Sequence, residues 1–100
     1  MLNQVVLVGR IVDIKKIDNH AEITLSIPRT YRDINGQYEN DFISCNVSQK
    51  MIYNFEEYCE LGNLVGIRGK IAKLEEDKEM QVIAEKMTFL SNRKTEEKEE

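Results

Sequence analysis

Hydrophobic and polar residues alternate along much of the chain with a period of two, which is typical of half-buried β-strands. In the clearest stretch, residues 64–71, one side carries Val65, Ile67 and Ile71. The other side carries Arg68 and Lys70, and Gly69 interrupts the apolar row. A glycine within a strand indicates a bend or a close approach of two backbones. The pattern therefore predicts a strongly curved strand with cations on its outer face, as in a small barrel.

The N-terminal part of the chain predicts a β-hairpin. Residues 5–17 are rich in β-branched side chains and predict a long strand that is buried on both faces and bends at Gly9. A polar turn at residues 18–20 joins it to a second alternating strand, residues 22–27. Pro28 is expected to end this second strand, because proline has no backbone N–H to donate.

A projecting loop and a third strand follow. Asn35-Gly36 is a strong signal for a tight turn with positive φ within residues 29–40. Residues 41–47 predict a strand whose inner face carries Ile43, Cys45 and Val47. Phe42 then falls on the polar face with Ser44 and Asn46. A large exposed ring on such a face indicates a partner that covers it.

The period changes between residues 51 and 61, where Ile52, Phe55, Tyr58 and Cys59 form a helical stripe. We expect a helix that closes one end of the barrel, followed by Gly62 as its C-terminal glycine. A charged turn at residues 75–78 leads to a last strand, residues 80–90. Its inward residues are Val82, Ala84 and either Met87 or Phe89, with a slip or bulge between them.

Five strands with one helix between the third and fourth predict an all-β fold, the five-stranded OB-fold Greek-key barrel. The strand 2–3 face and the 1–2 and 4–5 loops of this fold bind oligonucleotides. We assign residues 1–90 to the barrel domain. Residues 91–100 are polar, and we expect a disordered tail.

Composition narrows the function classes. The chain has no membrane-length apolar run or signal-peptide layout, so a cytoplasmic protein is expected. The spacing of Cys45, Cys59 and His20 fits no zinc site, and the cysteines are expected to be reduced and packed rather than disulfide-bonded. No nucleophile–base pair is evident, so neither an enzyme nor a cofactor is predicted. The net charge of −4 argues against a nucleic-acid binder, although the local field depends on where the cations lie.

Several segments resemble bacterial and phage single-stranded DNA-binding proteins in order and spacing. They are MLNQVVLVGRI (1–11), NDFISCNV (40–47), LG (61–62) followed by LVGIRGKI (64–71), and MTFL (87–90). The resemblance implies a DNA-coating protein without sequence preference, active in replication, recombination or repair. It also implies a homotetramer, or a homodimer if the first strand or helix differs, with the first strand in the dimer sheet.

The resemblance also assigns roles to individual residues. Tyr31 and Phe42 fall at base-stacking positions. Phosphate-tracking cations would be Arg10, Arg29, Arg32, Arg68, Lys70 and Lys73. Aromatic stacking combined with cations along a groove is the physical basis of sequence-independent single-strand binding.

Three departures from the family keep an alternative open. Ser48 stands where the family often has a third stacking aromatic, and the segment between Ile71 and Met80 is short and acidic. The tail lacks the hydrophobic tip through which the family recruits other proteins, so tail-mediated partners are not expected. Phe42 could instead lie in a subunit interface. The alternative is an OB-fold interaction or oligomerisation module, or a primosome-type accessory protein, with weak or lost single-strand binding.

Overall fold

The computed structural model describes residues 1–54, 59–76 and 78–91. Its elements are β1 (Val5–Ile17), β2 (His20–Arg32), β3 (Tyr38–Ser48), α1 (Gln49–Asn54), β4 (Leu64–Ala72) and β5 (Gln81–Ser91). The strands close into a barrel in the order β1-β2-β3-β5-β4. The predicted OB-fold, with its helix between the third and fourth strands, is confirmed. Residues 92–100, nearly all of the predicted tail, lie outside the described ranges.

β1 is long because it pairs with two neighbours in succession. Its first half, from Val5 to Arg10, is antiparallel to β4, and its second half, from Arg10 to Ile17, is antiparallel to β2. Gly9 lies where the partners change. A Cβ on Gly9 would come within 2.7 Å of a side-chain carbon of Ile27, so a glycine is needed for this close approach.

The inward rows of β2 and β3 form the centre of the core, as the alternation predicts. Ile23, Leu25, Cys45 and Val47 are all 0% exposed. Burial raises the pKa of the Cys45 thiol to about 11, so this thiol is neutral at physiological pH. Cys45 is buried and Cys59 is half-buried against the core, and both are thiols, in agreement with the prediction of reduced, packed cysteines.

A one-residue slip divides the pairing of β4 with β5. Gly69 pairs with Ala84, whereas the residue before Gly69 pairs with Lys86, so Glu85 is the extra residue. As a result Ala84 and Met87 both point inward and are 8% and 5% exposed. The predicted slip in the last strand is confirmed.

Two predictions of burial are wrong. The outer face of β1 is not buried, since Val6, Val8 and Val12 are 67%, 48% and 43% exposed. Ile71 is also 45% exposed, although alternation places it inward. The reason is its position. The pairing of β1 with β4 begins at Gly69, so no residue of β1 lies beside Ile71. There the side chain of Asn3 hydrogen-bonds the Ile71 backbone instead.

The prediction that Pro28 ends the second strand is also wrong. β2 continues to Arg32, with Pro28 paired to Asn40 of β3 and a register shift after it. The last residue of β2 that pairs with β1 is Ser26, so Pro28 lies where β2 has only one neighbouring strand. Proline is tolerated at such an edge because a missing donor there need not interrupt a ladder.

The helix begins before its predicted start. Ser48 accepts a hydrogen bond from the N–H of Met51 at 3.2 Å, which is the arrangement of an N-cap. α1 therefore starts at Gln49, and Ile52 is buried as predicted. Ser48, noted above for the absence of an aromatic ring, has a structural role at this end of the helix.

The predicted helix end at Leu61 is wrong, because residues 59–62 are not helical. Gly62 has a positive φ of 94°, and its N–H donates to the carbonyl of Ile11 at 2.7 Å. The N–H of Ile11 in turn donates to Asn63 at 3.0 Å. These hydrogen bonds tie the segment before β4 to β1. Here the tertiary contacts outweigh the helical propensity of the sequence. Cys59 packs against the core as predicted, whereas Phe55 and Tyr58 lie outside the described residues.

Candidate nucleic-acid interface

Phe42 lies on the outer face of the strand pair β2–β3. Its side chain is 65% exposed, which confirms that β3 presents a ring on its polar face. Directly paired residues of antiparallel strands project from the same face. The row of Phe42 therefore continues through Ser26 of β2 to Arg10 of β1. In the adjacent row, the hydroxyls of Thr24 and Ser44 are hydrogen-bonded at 3.1 Å.

The strands β2 and β3 extend beyond the barrel as a two-stranded arm, which comprises residues 28–40. The loop at its end is held by Asp33, whose Oδ1 accepts hydrogen bonds from the N–H groups of Asn35 and Gln37, both at 2.9 Å. Gly36 has a φ of 79°, so the positive φ predicted for this turn is confirmed. These hydrogen bonds hold the turn at the end of the arm.

Tyr31, Arg32 and Tyr38 lie on this arm. The tyrosine rings are 64% and 60% exposed. The guanidinium carbon of Arg32 lies 5.4 Å from the ring centroid of Tyr38, within the range of a cation–π contact. The arm thus presents two aromatic rings and a cation to solvent, close to the positions expected from the sequence.

Arg29, in contrast, is held by two carboxylates. Its Nε and Nη2 donate to Asp41 at 2.9–3.2 Å, and its Nη1 donates to Oε2 of Glu39 at 3.1 Å. The hydrogen bond to Asp41 is the main cause of the raised pKa of Arg29. The same hydrogen bond lowers the pKa of Asp41 below its ordinary value. The sequence prediction of Arg29 as a phosphate-tracking cation did not anticipate these partners.

Arg10 lies at the edge of the same face, where β1 changes its partner. Its Nη1 donates to the carbonyl oxygen of Gly62 at 3.0 Å, and its side chain is half-buried. An open groove of about 490 Å³ begins here and is lined by Arg10, Ser26, Pro28 and Asn40, among others. The structure therefore brings Arg10 and Phe42 into one region of the surface.

The three remaining predicted cations lie on β4 or directly after it. Lys70 of β4 pairs with Ile83 of β5, which in turn pairs with Asn46 of β3. Lys70 therefore borders the β3 face. Arg68 pairs with Lys86 and with Val6 and lies farther from Phe42 around the barrel. Lys73 is exposed and follows the end of β4.

A second groove, of about 370 Å³, runs from Phe42 towards the segment that leads into β5. Its polar wall residues include Glu22 and Asn46 from the barrel face and Glu79 and Gln81 from the other side. The sequence analysis did not assign these residues a binding role. The alternation of β3 already places Asn46 on the face of Phe42, so this signal was present in the sequence.

The described residues contain no group of three or more His, Cys, Asp or Glu side chains that could hold a metal ion. Within the same residues, no helix is long and apolar enough to cross a membrane. What the surface does offer is exposed rings, hydrogen-bonding side chains and cations around two open grooves. Such a surface is suited to binding an extended polyanion with aromatic groups that can stack on the rings.

Comparison with known proteins gives a consistent result. The model of the "Single-strand binding protein family" matches residues 2–90. Single-stranded DNA-binding protein B of Bacillus subtilis (strain 168) is 35% identical over 77 residues, which cover 71% of this chain and 68% of that protein. Single-stranded DNA-binding protein 1 of Staphylococcus aureus (strain MSSA476) is 31% identical over 113 aligned positions, covering 100% of this chain and 72% of that protein.

The fold is also found among solved structures. The Plasmodium falciparum SSB in complex with ssDNA has a TM-score of 0.66 at 20% sequence identity, covering 91% of this chain and 97% of that one. At this identity the likeness concerns the fold. Together with the family match over residues 2–90 and the two bacterial relatives, it shows that the chain belongs to the single-strand binding protein family.

Proposed function

We propose that the protein binds and coats single-stranded DNA with little dependence on base sequence, in DNA replication, recombination or repair. The observation that carries this proposal is Phe42, a ring 65% exposed on the outer β2–β3 face of an OB-fold barrel. Bases of a single strand stack on such a ring with about 1–3 kcal/mol each, whatever their identity.

The arm and the cations would continue the interface on either side of Phe42. Tyr31 is the second stacking candidate, and Arg32 and Lys70 are the cations best placed to meet phosphates beside these rings. Arg10 and Arg29 remain predicted contacts at the rim, each with a hydrogen-bonded protein partner. Arg68 and Lys73 are predicted phosphate contacts farther around the barrel.

The same proposal extends to the oligomeric state of the protein and to its location in the cell. The exposed valines of β1 support a homotetramer or homodimer built through this strand, as the family resemblance implies. A protein that coats bacterial DNA shares its compartment, so we place this chain in the cytoplasm. We assign it no catalytic step and no cofactor, because its proposed work is binding alone. The recruitment of partners through the tail is not part of the proposal.

An OB-fold interaction module without DNA binding is the competing function. The specific observation in its favour is that Glu39 and Asp41 neutralise Arg29 on the arm. The net charge of −4 acts in the same direction, because it opposes the approach of a polyanion. A binding measurement separates the two functions directly.

The test is fluorescence anisotropy of a labelled dT oligonucleotide titrated with the full chain at two salt concentrations. A duplex of equal length is the control. We expect binding of the single strand that weakens as salt rises, with far weaker binding of the duplex. An absence of single-strand binding at low salt would refute the proposal and favour the interaction module.

The same titration of Phe42→Ala tests whether the ring carries the binding. Losing one stacked base is expected to weaken binding about 5- to 150-fold at both salt concentrations, with an unchanged salt slope. Tyr53→Ala is the matched control, because Tyr53 is 79% exposed but lies on α1. Equal losses of affinity in Phe42→Ala and Tyr53→Ala would show that the Phe42 ring does not carry the binding.

A further inference from the structure

The outer row of β3 continues beyond Phe42 onto the arm. The pairing of β2 with β3 is regular up to Pro28 and shifts only between Pro28 and Arg32. The extra residues at this shift belong to β2, where residues 29–31 lie opposite a single residue of β3. The alternation of β3 is therefore unbroken, and Tyr38 projects from the same face as Phe42. The two rings belong to positions that are roughly 13 Å apart along the strand.

The two carboxylates that β3 contributes to the arm lie on the opposite face. Glu39 and Asp41 occupy the alternate positions of β3, between those of the outer row. Both carboxylates bond the guanidinium of Arg29, which is consistent with a shared face. Their negative charge is therefore directed away from the face of Tyr38. A phosphate backbone that follows the outer row onto the arm meets less repulsion there than on the face of Arg29.

Arg32 adds a cation to the face of Tyr38. The two residues are directly paired, so their side chains project from the same face, and the guanidinium carbon lies 5.4 Å from the ring centroid. A guanidinium that lies over a ring still has N–H donors in its plane that can meet a phosphate. Tyr38 is 60% exposed beside Arg32, so much of its ring is open to a base. The pair thus offers a stacking surface and a cation to neighbouring parts of one strand.

Asp33 holds the Arg32–Tyr38 pair in place from the turn at the end of the arm. The N–H of Asp33 donates to the carbonyl of Gln37 at 2.7 Å, and its Oδ1 accepts the N–H of Gln37 at 2.9 Å. Arg32 and Tyr38 directly flank this closure in the chain, so it keeps them opposite each other. The charge of Asp33 opposes a nearby phosphate. Its oxygen, which organises the turn, accounts for an acid at this position.

We propose that Tyr38 and Arg32 form a further nucleotide contact on the arm, in which Tyr38 stacks on a base and Arg32 meets a phosphate. Asp33 is the positioning residue of this contact, because it acts through the turn and not on the strand. The inference rests on the proposed single-strand binding and extends the path of the strand from Phe42 along β3 onto the arm. Stacking on a ring tolerates any base, so the ligand is a single strand long enough to reach both rings.

Anisotropy titrations with labelled dT oligonucleotides of increasing length test the ring. Tyr38→Ala is expected to weaken the binding of long oligonucleotides about 5- to 150-fold, the effect of one lost stacked base. Short oligonucleotides that reach only one ring should lose far less affinity, because Phe42 still binds them. Tyr38→Phe keeps the ring and should bind as the wild-type protein does. Tyr53→Ala is the matched control, because Tyr53 is 79% exposed but lies on α1.

Two substitutions of Asp33 separate positioning from charge. Asparagine keeps a side-chain oxygen that can accept both hydrogen bonds of the turn and removes the negative charge, so Asp33→Asn should bind long oligonucleotides at least as tightly as the wild-type protein. Alanine removes the acceptor, and the loosened turn must be ordered on binding. We expect Asp33→Ala to weaken binding about 3- to 10-fold. In the background of Tyr38→Ala the same change should weaken binding less, because Asp33 acts through the Arg32–Tyr38 pair.

The possible outcomes separate this inference from the proposed function. If the wild-type protein binds the single strand and Tyr38→Ala binds it equally well, the contact is refuted and single-strand binding stands. The same holds if Tyr38→Phe is as weak as Tyr38→Ala, or if Tyr53→Ala loses as much affinity. Equal weakening by Asp33→Asn and Asp33→Ala would overturn the positioning role. An absence of wild-type binding at low salt would refute the proposed function and this inference together.

Discussion

Arg29 shows how the surroundings of a residue decide what its charge can do. Its guanidinium is occupied by Asp41 and Glu39 through hydrogen bonds of 2.9–3.2 Å. Three of its five N–H donors point at these carboxylates, whose negative charge opposes the approach of a phosphate. Arg29 therefore braces the base of the arm that carries Tyr31.

Removing one carboxylate should convert Arg29 into a phosphate contact. Asp41→Asn removes a negative charge and the strongest partner of the guanidinium. We expect affinity for a dT oligonucleotide to rise about 3- to 10-fold at low salt, because a charge-assisted contact is gained. The slope of log affinity against log salt should steepen by roughly 0.7, the value for one additional phosphate on a single strand. Anisotropy titrations over a series of salt concentrations measure both quantities.

Glu85→Gln serves as the control for Asp41→Asn. It changes the net charge equally but lies on β5, outside the arm. If both variants change affinity equally and neither changes the salt slope, the effect is one of overall charge and Arg29 gains no contact. A loss of affinity in Asp41→Asn would show instead that the brace itself is needed for binding.

At the scale of elements, β4 and β5 approach so closely that one position admits only glycine. A Cβ on Gly69 would overlap the carbonyl oxygen of Ile83 on the neighbouring strand. This contact lies at the slip in pairing, where Glu85 is the extra residue. The close backbone approach predicted from the sequence at Gly69 is confirmed, and it allows the sheet to curve into the barrel.

Gly69→Ala should therefore destabilise the barrel. The added methyl group forces β4 and β5 apart, and we expect the free energy of unfolding to fall by about 1–3 kcal/mol. Urea unfolding followed by circular dichroism measures this change. Gly66→Ala is the control on the same strand, because a Cβ there meets no other atom closer than 3.9 Å. Equal stability of the two variants would contradict the close contact.

The sequence predicted those structural features that residues within one segment determine, and it missed those that depend on neighbouring strands. The inward row of β2 and β3 follows from alternation alone, and so does the exposure of Phe42. The end of the helix and the continuation of β2 through Pro28 depend on which strand lies alongside. The carboxylate partners of Arg29 are ten and twelve residues away in the chain and meet it only across the β2–β3 register. Such pairings require the strands to be placed in space.

For the whole molecule, the outer surface divides into regions of different character. The β2–β3 face carries Phe42, polar side chains and the arm. The first half of β1 carries Val6 and Val8, which are 67% and 48% exposed. They share a face with Arg68 and Gly66 of β4. β-branched side chains on the outer face of a strand are apolar surface that water solvates poorly, which favours a contact between copies of the chain.

Val8→Lys should therefore weaken self-association without unfolding the barrel. Sedimentation equilibrium of the wild-type protein is expected to give a mass above the 11.7 kDa of one chain. A lysine at position 8 places a charge in the contact, and we expect the dissociation constant to rise about tenfold or more. Val12→Lys is the matched control, since Val12 is 43% exposed but lies in the half of β1 that pairs with β2. A wild-type protein that stays monomeric at all concentrations, or equal weakening by both lysines, would contradict assembly through Val6 and Val8. A loss of mass that leaves binding of short dT oligonucleotides unchanged would show that each barrel binds DNA independently of its partners.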